Sequence, residues 1–125
     1  SHLEDANVII ASGVPHAWLF PRMRHIFHHG GAGTTGAAAT AGVPQTAFPF
    51  SADQAFWARR VHQLGLGPSA PPARRLTASG IQAIMREAVA NPEYARKAQA
   101  LGAEIRKEDG VSTAVRIINS LLGIG

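Results

Sequence analysis

The stretch HIFHHGGAGTTGAAATAGVPQTAF, residues 25–48, decides the fold. His25–His28 is a short run built around Ile26 and Phe27 and reads as a strand. Gly30, Gly31 and Gly33 follow at once, then Thr34, Thr35 and an alanine-rich segment, Gly36–Ala41, that reads as a helix. Gly42-Val43-Pro44 closes that helix, with glycine at its C-terminal end and proline soon after. Gln45–Phe48 reads as a second strand, stopped by Pro49. Strand, glycine loop, helix and strand make one βαβ unit, in which the two strands run parallel.

Working outward, Asn7–Ala11 (NVIIA) reads as a further strand that turns at Ser12-Gly13. Val14–Met23 lies between Pro15 and Pro21 and has room for one helical turn. Downstream, Ser51 or Asp53 can cap a helix that runs to about Leu64 and closes on Gly65. Residues 67–75 (GPSAPPARR) form a proline-rich extended connection. The last third is helical. Thr77 and Ser79 are candidate caps, and Ile81, Ile84, Met85, Ala88 and Val89 fall on one helical face. Asn91-Pro92 breaks that helix and starts another, whose stripe is Ala95, Ala98, Leu101 and Ile105. Asp109-Gly110 breaks again before Val111, Ala114, Val115, Ile118 and Leu122. The expectation is an α/β fold with a Rossmann-like parallel sheet of three to four strands, covered by flanking helices. It forms a single domain over residues 3–125, with Ser1 and His2 set aside as the remnant of a tag.

Composition narrows the function. The chain has 125 residues, 46% hydrophobic and 16% charged, enough apolar material for one core. It has no cysteine, so neither a disulfide framework nor a thiolate metal site is available. No apolar run approaches the ~20 residues of a membrane span, and no signal-like segment opens the chain; a cytoplasmic location is expected. The net charge of +4 rests mainly on arginines that are scattered and form no basic run. Nucleic acid is therefore not an expected partner.

The glycine loop carries the chemistry. The first amides of a helix have no intrahelical partner, and the helix dipole adds positive character at the same end. Gly31, Ala32 and Gly33 leave those amides bare, Thr34 and Thr35 can add hydroxyl donors, and His28 can point a ring N–H at an anion. This is a phosphate cradle. The segment Pro49-Phe50-Ser51-Ala52-Asp53-Gln54 follows the neighbouring strand, so it opens onto the same crevice. A carboxylate beside a carboxamide there suits sugar hydroxyls, although Asp53 could equally serve as a helix cap. Gly31, Gly33 and Gly36 also match the spacing of a dinucleotide fingerprint. The acidic partner that fingerprint needs is misplaced, because Asp53 lies beyond the next strand. His25, His28 and His29 have no Cys or Glu close by to complete a zinc set, and no metal or cofactor is expected.

Taken together, VPHAWLFPRM, HHGGAGTT, GVPQ, the PF-x-x-DQ segment and a helix closing on LGLG resemble the C-terminal donor-binding half of GT-B glycosyltransferases of family 1. Within that family the chain is most similar to sterol glucosyltransferases and to bacterial enzymes that glycosylate antibiotics, macrolides and lipids. The resemblance spans about Asn7 to Leu122. It implies that backbone groups around Val14 and His16 hold the nucleotide base. It implies that His28 with the amides of Gly31, Ala32, Gly33 and Thr34 holds the diphosphate, and that Asp53 and Gln54 bind the donor sugar. The donor would be a UDP- or TDP-sugar, and the reaction an inverting, metal-independent transfer to a hydroxyl of a lipophilic acceptor. The catalytic base and acceptor pocket would lie in an N-terminal acceptor-binding domain outside this chain, which alone should bind donor weakly and transfer nothing. In the plant branch a tryptophan that stacks on uracil occupies the place of Gly13, and Trp18 reads as a core residue instead. Two other readings stand beside this one: a dinucleotide-binding fragment of an oxidoreductase, and a non-catalytic nucleotide-binding module.

Overall fold

The computed structural model describes residues 10–108 and 110–123, without the side chains of residues 110–114. Its elements are α1 (His16–Leu19, a single turn continued by a 3-10 turn at Phe20–Arg22), β1 (Ile26–His28), α2 (Ala32–Ala41), β2 (Gln45–Ala47), α3 (Ala52–Gln63), a 3-10 turn at Ala73–Arg75, α4 (Ala78–Ala90), α5 (Pro92–Lys107) and α6 (Gly110–Leu121). β1 and β2 pair in parallel, with Ile26 opposite Gln45, Phe27 opposite Thr46 and His28 opposite Ala47. The α/β class and the βαβ unit are as the sequence dictates.

Helix boundaries follow local chemistry. Ser51, Thr77 and Asn91 each cap the helix that follows, accepting from the amides of Gln54, Gly80 and Glu93. Asp53 is thus not the cap of α3 but a first-turn residue. Pro92 occupies the first turn of α5, where its missing N–H costs nothing. Gly42 ends α2 in the left-handed conformation, φ 72°.

Several expectations need correction. α2 starts at Ala32, so the second half of the glycine loop is already helical. β1 excludes His25 and β2 excludes Phe48, although the Phe48 amide still donates to the His28 carbonyl at 2.7 Å. Among the described residues the sheet has two strands, not three to four. Of the expected strand Asn7–Ala11, residues 7–9 lie outside the described residues, and Ile10 and Ala11 are not in a strand. The outer edge of β2 is covered by the chain after α3, where the Gln45 amide donates to the Leu66 carbonyl at 2.9 Å. Trp18 is no core residue: it is 55% exposed, with the Arg22 guanidinium over its ring at 4.2 Å.

The core is centred on α2 more than on the sheet. Its sequence, AGTTGAAATA, has small residues on every side, as suits a helix with neighbours all round. One cluster joins Ala39 to Val61, Leu66, Ala98, Leu101, Ile105 and Ile118. A second joins Ala38 to Phe20, Ile26 and Val43. α5 and α6 therefore lay their stripes on α2 and α3 and do not lie directly on the strands. Close approach is possible because Gly102 of α5 meets the Gly42 turn; a Cβ on Gly102 would sit 2.6 Å from the Gly42 Cα. Arg106, one turn further on, donates from Nη1 to the Thr40 carbonyl at 2.6 Å, where α2 ends.

The α4 stripe behaves differently from the other two. Ala88 is buried, but Met85 and Val89 are 47% and 52% exposed. Ile105, fully buried in the main cluster, should therefore lose about 2–5 kcal/mol of unfolding free energy as Ile105→Ala. Met85→Ala should cost under about 1 kcal/mol. Chemical denaturation of both variants checks the contrast, and comparable losses would contradict the assignment of the core.

Candidate functional site

β1 delivers the chain to Gly30, which turns at φ 98°. A Cβ on Gly30 would lie 2.7 Å from the Gln54 carbonyl oxygen. Only glycine fits a left-handed turn at that distance, so the loop rests directly on the first turn of α3. The two segments singled out in the sequence consequently face one another. Gly30, Gly31, Ala32, Ser51, Asp53 and Gln54 line one open cleft of about 710 Å³, with Phe56, Trp57 and Arg59 further along α3.

On the α2 side, Gly31 is the N-cap, no side chain caps the helix, and its first turn holds no acid. α3, α4 and α5 have side-chain caps, whereas at the start of α2 the amides of Ala32, Gly33 and Thr34 have no side-chain partner. Thr35, expected to offer a hydroxyl, is buried and donates it to the Gly31 carbonyl at 2.8 Å. Thr34 is half-buried, and it does not line the cleft.

The two histidines divide their tasks. The His28 Nδ1 accepts from the Gly30 amide at 2.9 Å, which places the ring proton on Nε2. Nε2 then donates to the Gln45 Oε1 at 2.7 Å. His28 therefore has no ring N–H left to point at an anion, contrary to the expectation from sequence. Burial holds its pKa below the ordinary value, the Gln45 bond opposes this, and the charges of His29 and His16 add to the lowering. His29 is exposed, and its Cε1 lies 2.9 Å from where a Gly31 Cβ would stand. Its ring thus overhangs the bare N-cap, and it was missed as a candidate. The available signal was alternation, since neighbours at a strand end face opposite ways and only one of the pair can turn inward.

On the α3 side, Asp53 is exposed in the first turn. Gln54 uses its Oε1 to accept from the Phe50 amide at 2.7 Å, which leaves its amide N–H groups free. Phe56 lies over the Arg60 guanidinium at 3.7 Å and meets Trp57 edge-on. The cleft does not gather Val14 or His16. His16 stacks on Phe20 at 4.3 Å and lines a separate depression of about 590 Å³ with Ala37, Thr40 and Arg106. Among the described residues no cluster of three or more His, Asp or Glu could hold a metal, and no helix is long and apolar enough to cross a membrane.

Comparison with known proteins gives the class. The pattern of the family described as "Erythromycin biosynthesis protein CIII-like, C-terminal domain" matches residues 1–120. Sterol 3-beta-glucosyltransferase of Eremothecium gossypii is 44% identical over 110 residues, 88% of this chain and 9% of the relative. A sterol 3-beta-glucosyltransferase of Arabidopsis thaliana is 39% identical over 109 residues, 87% of this chain and 18% of the relative. The chain thus spans less than a fifth of these relatives. The crystal structure of the glycotransferase of kitacinnamycin superposes with a TM-score of 0.73 over 95% of this chain and 32% of that chain. The identity there is 24%, so the likeness concerns the fold. The sequence relatives are named as glucosyltransferases, and the fold is shared with a glycosyltransferase. The chain belongs to the family of Erythromycin biosynthesis protein CIII-like C-terminal domains.

The buried histidines make stability depend on pH. His25 bonds to the Thr46 hydroxyl at 2.7 Å, and burial, with the His28 charge second, lowers its pKa from 6.5 to about 4. The unfolded chain takes up these protons near the ordinary value, whereas the folded chain resists. The contribution is thus complete above about 6.5 and is lost as pH falls toward 4. The melting temperature should drop steadily across that window, and His25→Gln should flatten part of the slope.

Proposed function

We propose that residues 3–125 form the donor-binding domain of an inverting, metal-independent glycosyltransferase. The observation that carries this reading is the uncapped N-terminus of α2 facing Asp53 and Gln54 across one cleft. The diphosphate of a UDP- or TDP-sugar sits on the amides of Gly31, Ala32, Gly33 and Thr34, with the Thr34 hydroxyl alongside. His29 donates from the rim. His28 belongs to this site as the anchor of its loop, through Gly30. Asp53 and the Gln54 amide hold hydroxyls of the sugar. Backbone groups around Val14 and His16, which lie outside this cleft, hold the base.

In the transfer, the acceptor hydroxyl gives up its proton to a base and its oxygen bonds to the anomeric carbon. The bond from that carbon to the diphosphate breaks, and the nucleoside diphosphate leaves with the electron pair. Negative charge grows on the leaving group, and preorganised amides, a helix N-terminus and a histidine stabilise it without a metal ion. Among the described residues no group is assigned as the base. That role and the acceptor pocket belong to an N-terminal acceptor-binding domain of the whole protein, so this chain alone binds donor weakly and transfers nothing. The sterol glucosyltransferases among its relatives support a lipophilic acceptor such as a sterol, lipid or natural product. The dinucleotide reading is the weaker one because its acidic partner is misplaced: Asp53 lies in the first turn of α3, beyond the end of β2.

Calorimetric titration with UDP, TDP and NAD tests the assignment. UDP or TDP should bind and NAD should not. His29→Ala should weaken UDP about tenfold, the scale of a hydrogen bond to a charged group. Asp53→Ala should weaken a UDP-sugar while leaving UDP unchanged. Binding of NAD in preference to both nucleoside diphosphates would overturn the reading.

A further inference from the structure

We infer that Gln45 is a positioning residue for the diphosphate site, locking the glycine loop and the first turn of α2 together through the two ends of its side-chain amide. The inference rests on the donor-site reading above. Gln45 is the first residue of β2 and is fully buried, an unusual place for a carboxamide. Its Oε1 accepts from the His28 Nε2 at 2.7 Å, and its Nε2 donates to the Thr35 carbonyl at 3.2 Å. Beyond His28 the chain of bonds reaches the Gly30 amide at 2.9 Å. Beyond Thr35 it reaches the Gly31 carbonyl, through the hydroxyl at 2.8 Å and the amide at 2.9 Å. The hydrogen bonds thus close a circuit through the Gly30–Gly31 backbone and bracket the residues whose amides would face the phosphates.

The circuit works in one orientation only. If the Gln45 amide were reversed, its N–H groups would meet the His28 Nε2, which would have to accept. The ring proton would move to Nδ1 and confront the Gly30 N–H, while Oε1 would face the Thr35 carbonyl. Both ends of the amide therefore select the same arrangement, with His28 neutral and protonated on Nε2. Protonation of His28 would break the Gly30 bond in the same way. The titratable neighbours of His28 are His25 on its own strand segment, His29 beside it and His16 from α1. β2 and the first turn of α2 bring it no charged side chain, and Asp53 of α3 is exposed. No carboxylate is placed to hold the extra proton, and the neutral form of His28 is favoured by burial.

A glutamate at this position inverts that logic. It offers a second acceptor to the Thr35 carbonyl and favours the imidazolium, whose Nδ1–H cannot accept from Gly30. UDP titrations of the full chain from pH 5.5 to 8.5 test this with Gln45→Glu and Gln45→Met. Both should weaken UDP about tenfold at pH 7.5. In Gln45→Glu the acid limb of the affinity profile should also move up by about one pH unit, because the carboxylate raises the His28 pKa. Gln45→Met should show no such upward move, and a role in packing alone would leave the limb where it is in both. Nitrogen-15 spectra of the wild-type histidines give a readout that needs no variant to fold. They should show His28 protonated on Nε2, and a proton on Nδ1 would overturn the inference. Unchanged UDP affinity in both variants would sink the positioning role alone. A wild-type chain that binds no UDP would sink the donor site, and the role of Gln45 with it.

Discussion

The contact between the Gly30 backbone and the Gln54 carbonyl sets the geometry on which the site depends. It fixes how far the start of α2 lies from the start of α3, and therefore how wide the crevice between them can be. With any side chain at residue 30 the two helix starts would be pushed apart, since a Cβ would fall 2.7 Å from a carbonyl oxygen that cannot yield. Bare amides on one wall and an Asp-Gln pair on the other would then no longer line one cleft. The helix dipoles of α2 and α3 both bring their positive ends to this crevice. α3 has its own cap in Ser51, so the unanswered charge is concentrated at α2.

Rigidity behind the crevice comes from smallness. Ala39 and the glycines at 42 and 102 let α5 approach α2 backbone to backbone, and larger residues then fill the space around that seam. Small residues lose little side-chain entropy on burial, so this packing is cheap to order. A loop whose amides must stay aligned is mounted on the most enclosed helix of the domain. That mounting differs from a binding loop on the surface, where each open amide could turn away to water.

Much of this was legible in the residues. Glycine and proline marked the end of α2, Ser51, Thr77 and Asn91 marked helix starts, and the glycine run beside a strand marked the turn into α2, because these signals are local. The crevice formed by residues 30–32 and 51–54 followed from βαβ topology alone. What escaped were properties of tertiary context. Nothing in the order His28-His29 tells which ring turns inward until the position of Gln45 is known. Gln45 itself looks like an ordinary polar residue at a strand start. Trp18 carries the largest apolar ring in its segment, yet Arg22 one turn later gives it a partner at the surface. The stripe on α4 has the same period as that on α5, and periodicity does not say whether a face is covered.

α2 is served by a cation at its far end, where Arg106 reaches the Thr40 carbonyl, but by no anion at its near end. The peptide dipoles are thus compensated on one side only, and the unliganded domain carries a local excess of positive potential at its mouth. The same uncompensated dipoles draw small oxyanions from solution toward that end. On the proposed donor-site reading, an apparent nucleotide affinity in phosphate or sulfate buffer is then a difference between two anions competing for the same amides.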